Sequence, residues 1–282
     1  MRPLFFLSLL APAFVLASEE GVNPKATDLF EIGGIPVSNT ILTTWILTAL
    51  IIIAIRVLVG TPKIVPRKGQ ALVENVASGL RDALEPIVGK KMIGKTFPVL
   101  CGFFVFILLM NWSGLLPGVG TIKYQSADGH WLDAIRPANS DLNTTLALSI
   151  LSFLAWTYFV LRYAGFKALV FDLFGNKADK RELSMLMWLM LGFIFLGVGV
   201  IEVLSIASRL ISLPFRLYGN VFGGENLIHT LGGIAPYVVP AIAGMLEVLV
   251  GLIQAFVFTL LSAVYIGLIC NHDAGHDDEH AH

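Results

Sequence analysis

The stretch from Ser212 to His229, SLPFRLYGNVFGGENLIH, places an arginine, an asparagine, a glutamate and a histidine within a largely apolar chain. Of the 282 residues, 56% are hydrophobic and only 14% are charged, whereas soluble domains carry about a quarter charged residues. This shortage of charge indicates an integral membrane protein, in which each of these polar side chains is expensive. The net charge of −1 gives no reason to expect nucleic acid as a partner.

Five apolar runs approach or exceed the length of about 20 residues that a membrane helix needs. We place them at Thr40–Val59, Thr96–Leu116, Leu142–Leu161, Leu183–Ile201 with a more polar continuation to Pro214, and about Ile234–Cys270. The segment Lys63–Lys95 mixes charged and apolar positions, which predicts an interfacial amphipathic helix. The fold class is therefore an all-α integral membrane protein with five to six membrane helices.

The final third of the chain has few helix breakers. Only Gly232-Gly233, Pro236 and Pro240 interrupt it, so two helices of more than roughly thirty residues are expected. Such helices are longer than an upright span requires, and must tilt strongly or lie partly in the membrane plane.

The two ends of the chain differ from its apolar middle. Residues 1–17 combine Arg2, the apolar run Leu4–Leu16 and a small residue at Ala17, which is typical of a signal peptide, with an uncleaved amphipathic anchor as the alternative. Residues 18–271 form one polytopic membrane domain. Residues 272–282 form a polar tail whose histidines at intervals of four could bind metal, but we favour a solvated terminus and predict no metal site and no cofactor.

Lysines and arginines near the span ends predict the orientation. They are numerous after the first span, at Arg56, Lys63, Arg67 and Lys68, and after the third, at Arg162, Lys167, Lys177, Lys180 and Arg181. Only Lys123 and Arg136 lie between the second and third spans. The positive-inside rule then predicts an outside N-terminus and a cytoplasmic C-terminus, in agreement with a signal peptide.

Costly side chains recur with helical spacing in the last two helices. Glu202, Arg209, Arg216 and Asn220 are separated by seven, seven and four residues and form one stripe. Glu225 and His229 lie on another face of the same helix. On the following helix Glu247 and Gln254 are seven apart, and the small residues Gly244 and Gly251 let another helix backbone come close.

Structural explanations exist for part of this set. Arg209 could reach an interface, and Glu202 could pair with Arg209 or serve as an interfacial charge. Arg216 is harder to explain structurally, because its guanidinium is always charged and apolar sequence flanks it. Glu225 and Glu247 can take and release protons, which Arg216 cannot do. A proton path with a fixed charge as a barrier would need this combination, and a partner would have to supply the mobile carboxylate.

These residues resemble a known family, the a subunit of rotary ATP synthases. The run LPFRLYGNVFGGENL resembles its signature around the arginine, and EVLVGLIQAFVFTLLSAVY resembles its last helix. NWSGLLPG from Asn111 and SDLNTTLALS from Ser140 are similar to its middle spans, so that the resemblance covers Leu29 to about Ile269.

The resemblance implies a mechanism and a set of partners. Arg216 would face a ring of c subunits and prevent a proton short circuit, with Gln254 nearby. Glu225, Glu247, His229 and Asn111 would line a half-channel open to the outside, and Glu202 a half-channel open to the cytoplasm. The two long helices would form a hairpin that curves along the ring, in a complex that also holds peripheral stalk b subunits and resides in a bacterial plasma membrane. The chain would have no active site of its own.

The sequence departs from the family pattern in two places. The family often pairs one glutamate with one histidine where this chain has Glu225 and Glu247, which leaves open how the two share a proton. Some bacterial members carry an aspartate at the position of Gly114.

The alternative function is a self-contained transporter or ion channel using the same charged residues, although no inverted repeat is evident. An intramembrane enzyme is a third possibility, but no nucleophile–base pair or metal set emerges. The coupling ion and the ring size depend on the c subunits and not on this chain.

Overall fold

The computed structural model describes residues 26–116, 119, 122–125, 131–174, 185–232 and 238–270. Its helices are α1 (Asn39–Val59), α2 (Lys68–Val88), α3 (Lys90–Trp112), α4 (Leu142–Phe159), α5 (Phe166–Phe174), α6 (Met185–Gly232) and α7 (Val238–Cys270). A π-helical turn at Val160–Ala164 follows α4, and short 3-10 turns lie at Ser113–Leu115 and Ala138–Ser140. The predicted signal peptide and the histidine-rich tail lie outside the described residues.

Five of these helices are long and apolar enough to cross a membrane: Asn39–Val59, Lys90–Leu115, Leu142–Ala164, Met190–Ile228 and Pro240–Ile269. The prediction of an all-α integral membrane protein with at least five membrane helices is therefore confirmed.

The second span was predicted to begin at Thr96, but α3 begins at Lys90. The break between α2 and α3 is Gly89, whose φ of +88° ends the amphipathic segment at Val88.

Two small hairpins add strands that the sequence analysis did not predict. Strands β1 (Asp28–Ile32) and β2 (Ile35–Ser38) pair antiparallel around Gly33-Gly34, which both have positive φ, as a two-residue hairpin turn requires. Strands β3 (Lys123–Gln125) and β4 (Trp131–Asp133) form the second hairpin. Both hairpins lie next to membrane-helix ends, since β2 leads into α1 and β4 precedes α4.

The interior of the bundle lies where α3 packs against α7. Leu100, Phe103 and Ile107 of α3 and Phe258 of α7 belong to one buried cluster, and the rings of Phe103 and Phe258 meet edge to face at 5.8 Å. Many other large apolar side chains of the spans remain exposed, as expected when lipid rather than water surrounds the helices. Cys101 of α3 is half-buried and free.

The long helix α6 confirms the prediction of unusually long helices in the last third. It has 48 residues and α7 has 33, whereas the hydrocarbon core of a bilayer is only about 30 Å thick. At about 1.5 Å per residue, α6 is roughly 72 Å long. It continues through Pro214, as the predicted stripe from Glu202 to Asn220 requires, and the two long helices contact each other.

Candidate functional site

The first group of polar residues lies where α6 and α7 meet the segment between α3 and α4. Glu225 on α6 accepts a hydrogen bond from Arg136, with Nη2 and Oε2 3.3 Å apart. Arg136 is only 4% exposed, and its backbone N–H donates to the hydroxyl of Thr43 on α1 at 3.3 Å. A buried ion pair therefore joins the loop before α4 to the C-terminal part of the long helix.

Arg136 was not among the predicted site residues. It is one of only two basic residues in the loop that is predicted to face the outside, and it was used only to predict the orientation. The six residues from Arg136 to Asp141 are all buried, because they fold as a tight turn ahead of α4, where Asp141 caps the helix by accepting from the N–H of Asn143 at 3.0 Å. The run RPANSD has the proline and polar capping residues of such a turn, which was the available signal.

Glu247 on α7 is a second buried carboxylate near this place. Its side chain lies against Gly224 of α6: a Cβ added there would be 3.1 Å from the carboxylate carbon and from Oε1. A Cβ at Gly114 would be 3.7 Å from Oε1. The position where some family members carry an aspartate is therefore adjacent to Glu247. Within the described part of the chain, no hydrogen bond or ion pair reaches the Glu247 carboxylate.

Asn111 fixes the helices around this carboxylate. Its amide donates from Nδ2 to the carbonyl of Gly251 on α7 at 3.1 Å, and its Oδ1 accepts from Nδ2 of Asn139 at 2.7 Å. Trp112 donates from Nε1 to the carbonyl of Val248 at 3.0 Å. The close approach predicted from the small residues of α7 is confirmed at Gly251, where an added Cβ would be 3.1 Å from that of Asn111.

The second group of polar residues lies between α4, α6 and α7, near the end of α7. Glu202 and Arg209 form an ion pair with Oε1 and Nη1 3.6 Å apart, which confirms the pairing at a spacing of seven that we considered. The Arg209 guanidinium also lies over the ring of Tyr265, 4.1 Å from its centre. These groups line a cavity of about 280 Å³ whose other polar walls are Ser149, Ser152 and Ser262.

Arg216 lies between the two groups along α6. It is fourteen residues after Glu202 and nine before Glu225, or about 21 Å and 14 Å along an ideal helix. Its side chain is exposed and makes no hydrogen bond or ion pair with any residue that the structure describes. Arg216 therefore separates the Glu202 cavity from the Glu225–Arg136 pair.

The remaining predicted residues have mixed surroundings. Asn220 is half-buried and Gln254 is 7% exposed. Each has a buried side-chain nitrogen, Nδ2 and Nε2 respectively, with no hydrogen-bond partner in the described regions. His229 belongs to α6 by its backbone, but its side chain lies outside the described residues. Among the residues searched, no group of three or more histidine, cysteine, aspartate or glutamate side chains could hold a metal ion.

This geometry can support proton transfer on two sides of a fixed cation. Each side has at least one carboxylate: Glu202 pairs with Arg209 on the same helix, Glu225 pairs with Arg136 of the loop before α4, and Glu247 lies against Gly224 of α6. The Arg216 guanidinium cannot give up a proton. It therefore cannot relay a proton between Glu202 on one side and Glu225 and Glu247 on the other.

Comparison with known proteins identifies a family. The model of the family described as ATP synthase A chain matches residues 41–267. ATP synthase subunit a of Moorella thermoacetica is 30% identical over 243 residues, which cover 86% of this chain and 95% of the relative. ATP synthase subunit a of Geotalea daltonii is 33% identical over 230 residues, covering 81% and 86%. ATP synthase subunit a 2 of a Bradyrhizobium species is 29% identical over 242 residues, covering 86% and 93%. The chain therefore belongs to the ATP synthase A chain family, and it is a multi-pass membrane protein.

Proposed function

We propose that this chain is the stator channel, which passes protons to and from the carboxylates of a rotating ring of c subunits. The observation that carries the proposal is the exposure of Arg216, which makes no hydrogen bond or ion pair with any described residue of an otherwise apolar span. Leu204, Ile211 and Phe215, on an adjoining side of the same helix, are each more than half exposed. A guanidinium facing lipid at this depth is costly, so this face calls for a partner that offers a negative charge.

The two polar groups supply the two half-channels of the proposal. Glu225, Glu247 and Asn111, with His229 on the same part of α6, line the path from the outside to the ring. Glu202 and its cavity line the path from the ring to the cytoplasm. Because the two lie at different heights along α6, a proton can cross only by riding on a ring carboxylate from one to the other.

Arg216 acts as the barrier between these paths. Its permanent charge repels protons that would pass directly and attracts each ring carboxylate as it becomes ionised. Every carboxylate must therefore release its proton before it passes Arg216. Asn220, one turn further along α6, and the buried Gln254 of α7 have unpaired amide nitrogens that can donate hydrogen bonds beside the same passage.

The lengths of α6 and α7 support a tilted hairpin that follows the ring. An upright span needs only about 20 residues, and a longer helix accommodates the excess by tilting. The exposed apolar faces of α1 and of the amphipathic helix α2 remain available for lipid and for the peripheral stalk b subunits.

The arrangement agrees with an outside N-terminus and a cytoplasmic C-terminus. Helix α1 ends near Arg56, which is followed by Lys63, Arg67 and Lys68, so that its C-terminal end is cytoplasmic by the positive-inside rule. The Arg136 turn then lies on the outside. The Glu202 cavity includes Trp156 near the end of α4 and Leu268 near the end of α7, on the cytoplasmic side.

Reconstitution in liposomes tests the proposal against the alternative of a self-contained transporter. Liposomes with the purified chain alone, with the c ring alone, and with the chain, c ring and b subunits together are loaded with potassium. Valinomycin then sets a membrane potential, and a pH-sensitive dye reports proton uptake. We expect uptake above that of empty liposomes only with the assembled set. Uptake of equal rate by the chain alone would identify a transporter or channel and overturn the proposal.

A further inference from the structure

The two carboxylates near the outside differ in their partners. Glu225 has a guanidinium within 3.3 Å. Glu247, which is 7% exposed, has no hydrogen bond or ion pair among the described residues and lies against Gly224. A neighbouring cation favours the ionised form of a carboxylate. Because only Glu225 has such a cation, we expect the two neighbouring carboxylates to differ in protonation.

The cation beside Glu225 has a fixed position. The Arg136 side chain is 5% exposed, and its backbone is held by Thr43 at the start of the turn that leads into α4. Pro137 follows it, and Asn139 two residues later donates to Asn111. These bonds fix the backbone from which the guanidinium reaches Glu225.

A guanidinium at such depth requires a counter-charge. Arginine does not lose its proton in proteins, and breaking a buried ion pair by removing one member is strongly destabilising. Glu225 is the partner that the salt bridge provides.

We infer that Arg136 is a positioning residue that divides the work of the two carboxylates: Glu225 remains an anion bound to Arg136, and Glu247 alone takes up and releases the transported proton. This inference rests on the proposed function, because it assigns roles within the outside half-channel. It answers the question of proton sharing that two glutamates raise where the family often has a glutamate and a histidine.

The inference predicts an unusual pattern among charge-removing variants. Glu225→Gln removes the carboxylate of the buried ion pair and Arg136→Gln removes its guanidinium, so each should lower proton flux at least about tenfold. The double variant Arg136→Gln/Glu225→Gln removes both charges and should regain roughly half of the wild-type flux, since neighbouring substitutions that remove a pair are non-additive. Glu247→Gln should abolish flux in both the wild-type and the double-variant background.

Flux is measured as passive proton permeability of vesicles that contain the assembled complex stripped of its soluble sector. The amount of this chain in the purified complex is measured for each variant. Glu31→Gln, an exposed carboxylate in β1, and Arg56→Gln, an exposed arginine at the end of α1, serve as matched controls. A double variant that assembles but conducts no better than the single variants would show that Glu225 itself carries protons, and would overturn the inference.

Infrared spectroscopy of the assembled complexes tests the inference without the double variant. The difference between wild-type and Glu247→Gln complexes should contain a carboxylic acid C=O band that titrates with pH, and Arg136→Lys, which keeps the cation, should retain this band. Absence of such a band would contradict the inference. The flux measurements also separate the two proposals. Normal flux in Glu247→Gln would refute the proposed half-channel to the outside. Loss of flux in both Glu247→Gln and the double variant would refute only the division of roles between Glu225 and Glu247.

Discussion

The hydroxyl of Ser149 on α4 donates a hydrogen bond of 3.0 Å to the carbonyl oxygen of Leu210 on α6. Leu210 stands four residues before Pro214, and proline has no N–H to give to the carbonyl four residues earlier. Ser149 thus supplies the donor that the helix lacks. The long helix continues through its proline, and the segment just before Arg216 is tied to a neighbouring helix.

Replacing Ser149 by alanine should destabilise the bundle by about 1 kcal/mol, the usual cost of leaving a buried acceptor without its donor. The midpoint of thermal unfolding of the purified complex, followed by circular dichroism, measures the change. Ser208→Ala is the matched control, since that hydroxyl is exposed and bonds only to the carbonyl of Ser205 within its own helix. Equal unfolding temperatures for the two variants would show that the Ser149 bond does not support α6.

Gly224→Ala should displace the carboxylate of Glu247. The added Cβ would lie 3.1 Å from the carboxylate carbon, closer than ordinary packing allows, and an overpacked site costs about 1–3 kcal/mol. We expect proton flux through the assembled complex to fall by about fivefold to a hundredfold, since about 1.4 kcal/mol in a barrier is tenfold in rate.

Two comparisons isolate this effect at Gly224. Gly197→Ala lies on the same helix with no atom within 4 Å of the added Cβ, so it reports the general effect of replacing a helical glycine. Shortening Glu247 to aspartate in the Gly224→Ala background should recover part of the flux. If Gly224→Ala conducts as well as Gly197→Ala, the Glu247 carboxylate does not need its present position.

Gly251→Ala should separate α3 from α7. Its Cβ would meet Cβ of Asn111 at 3.1 Å and Cδ1 of Trp112 at 3.3 Å, and both residues donate hydrogen bonds to α7 carbonyls. We expect a loss of about 1–3 kcal/mol in unfolding free energy. Gly244→Ala, whose Cβ would be in ordinary contact at 3.8 Å from Leu115, is the control. A Gly251→Ala complex that unfolds in denaturant at the same midpoint as this control would contradict the close packing.

The membrane helices could be predicted from sequence because their lengths follow from the bilayer. Apolar runs mark α1 and α4 to within a few residues, and the lack of breakers predicts the length of α6 and α7. The helical stripe from Glu202 to Asn220 predicts a helix that passes through Pro214, but not how the helix tolerates the proline, because the compensating donor comes from Ser149, 65 residues earlier in the chain. Hairpins such as β1–β2 are short, and their turn signal at Gly33-Gly34 is weak beside the hydropathy of the spans.

The candidate site was predictable only where its members share a helix. Helical spacing paired Glu202 with Arg209, which the structure confirms. Arg136 and Asn139 reach the site from a loop, and nothing in their spacing relates them to Glu225 or Asn111. Contacts of this kind depend on how the turn before α4 packs between helices, which periodicity does not encode.

The central claim is that Arg216 is the barrier between two proton paths, and its replacement by alanine in the assembled complex tests it most directly. The measurement combines ATP synthesis driven by an imposed proton gradient with the passive proton permeability of vesicles stripped of the soluble sector. Arg56→Ala is the control, as an exposed arginine at the end of α1. We predict that Arg216→Ala abolishes coupled synthesis while protons still leak through the membrane sector, because the path remains but its barrier is gone. Coupled synthesis at the rate of the Arg56→Ala control would contradict the account.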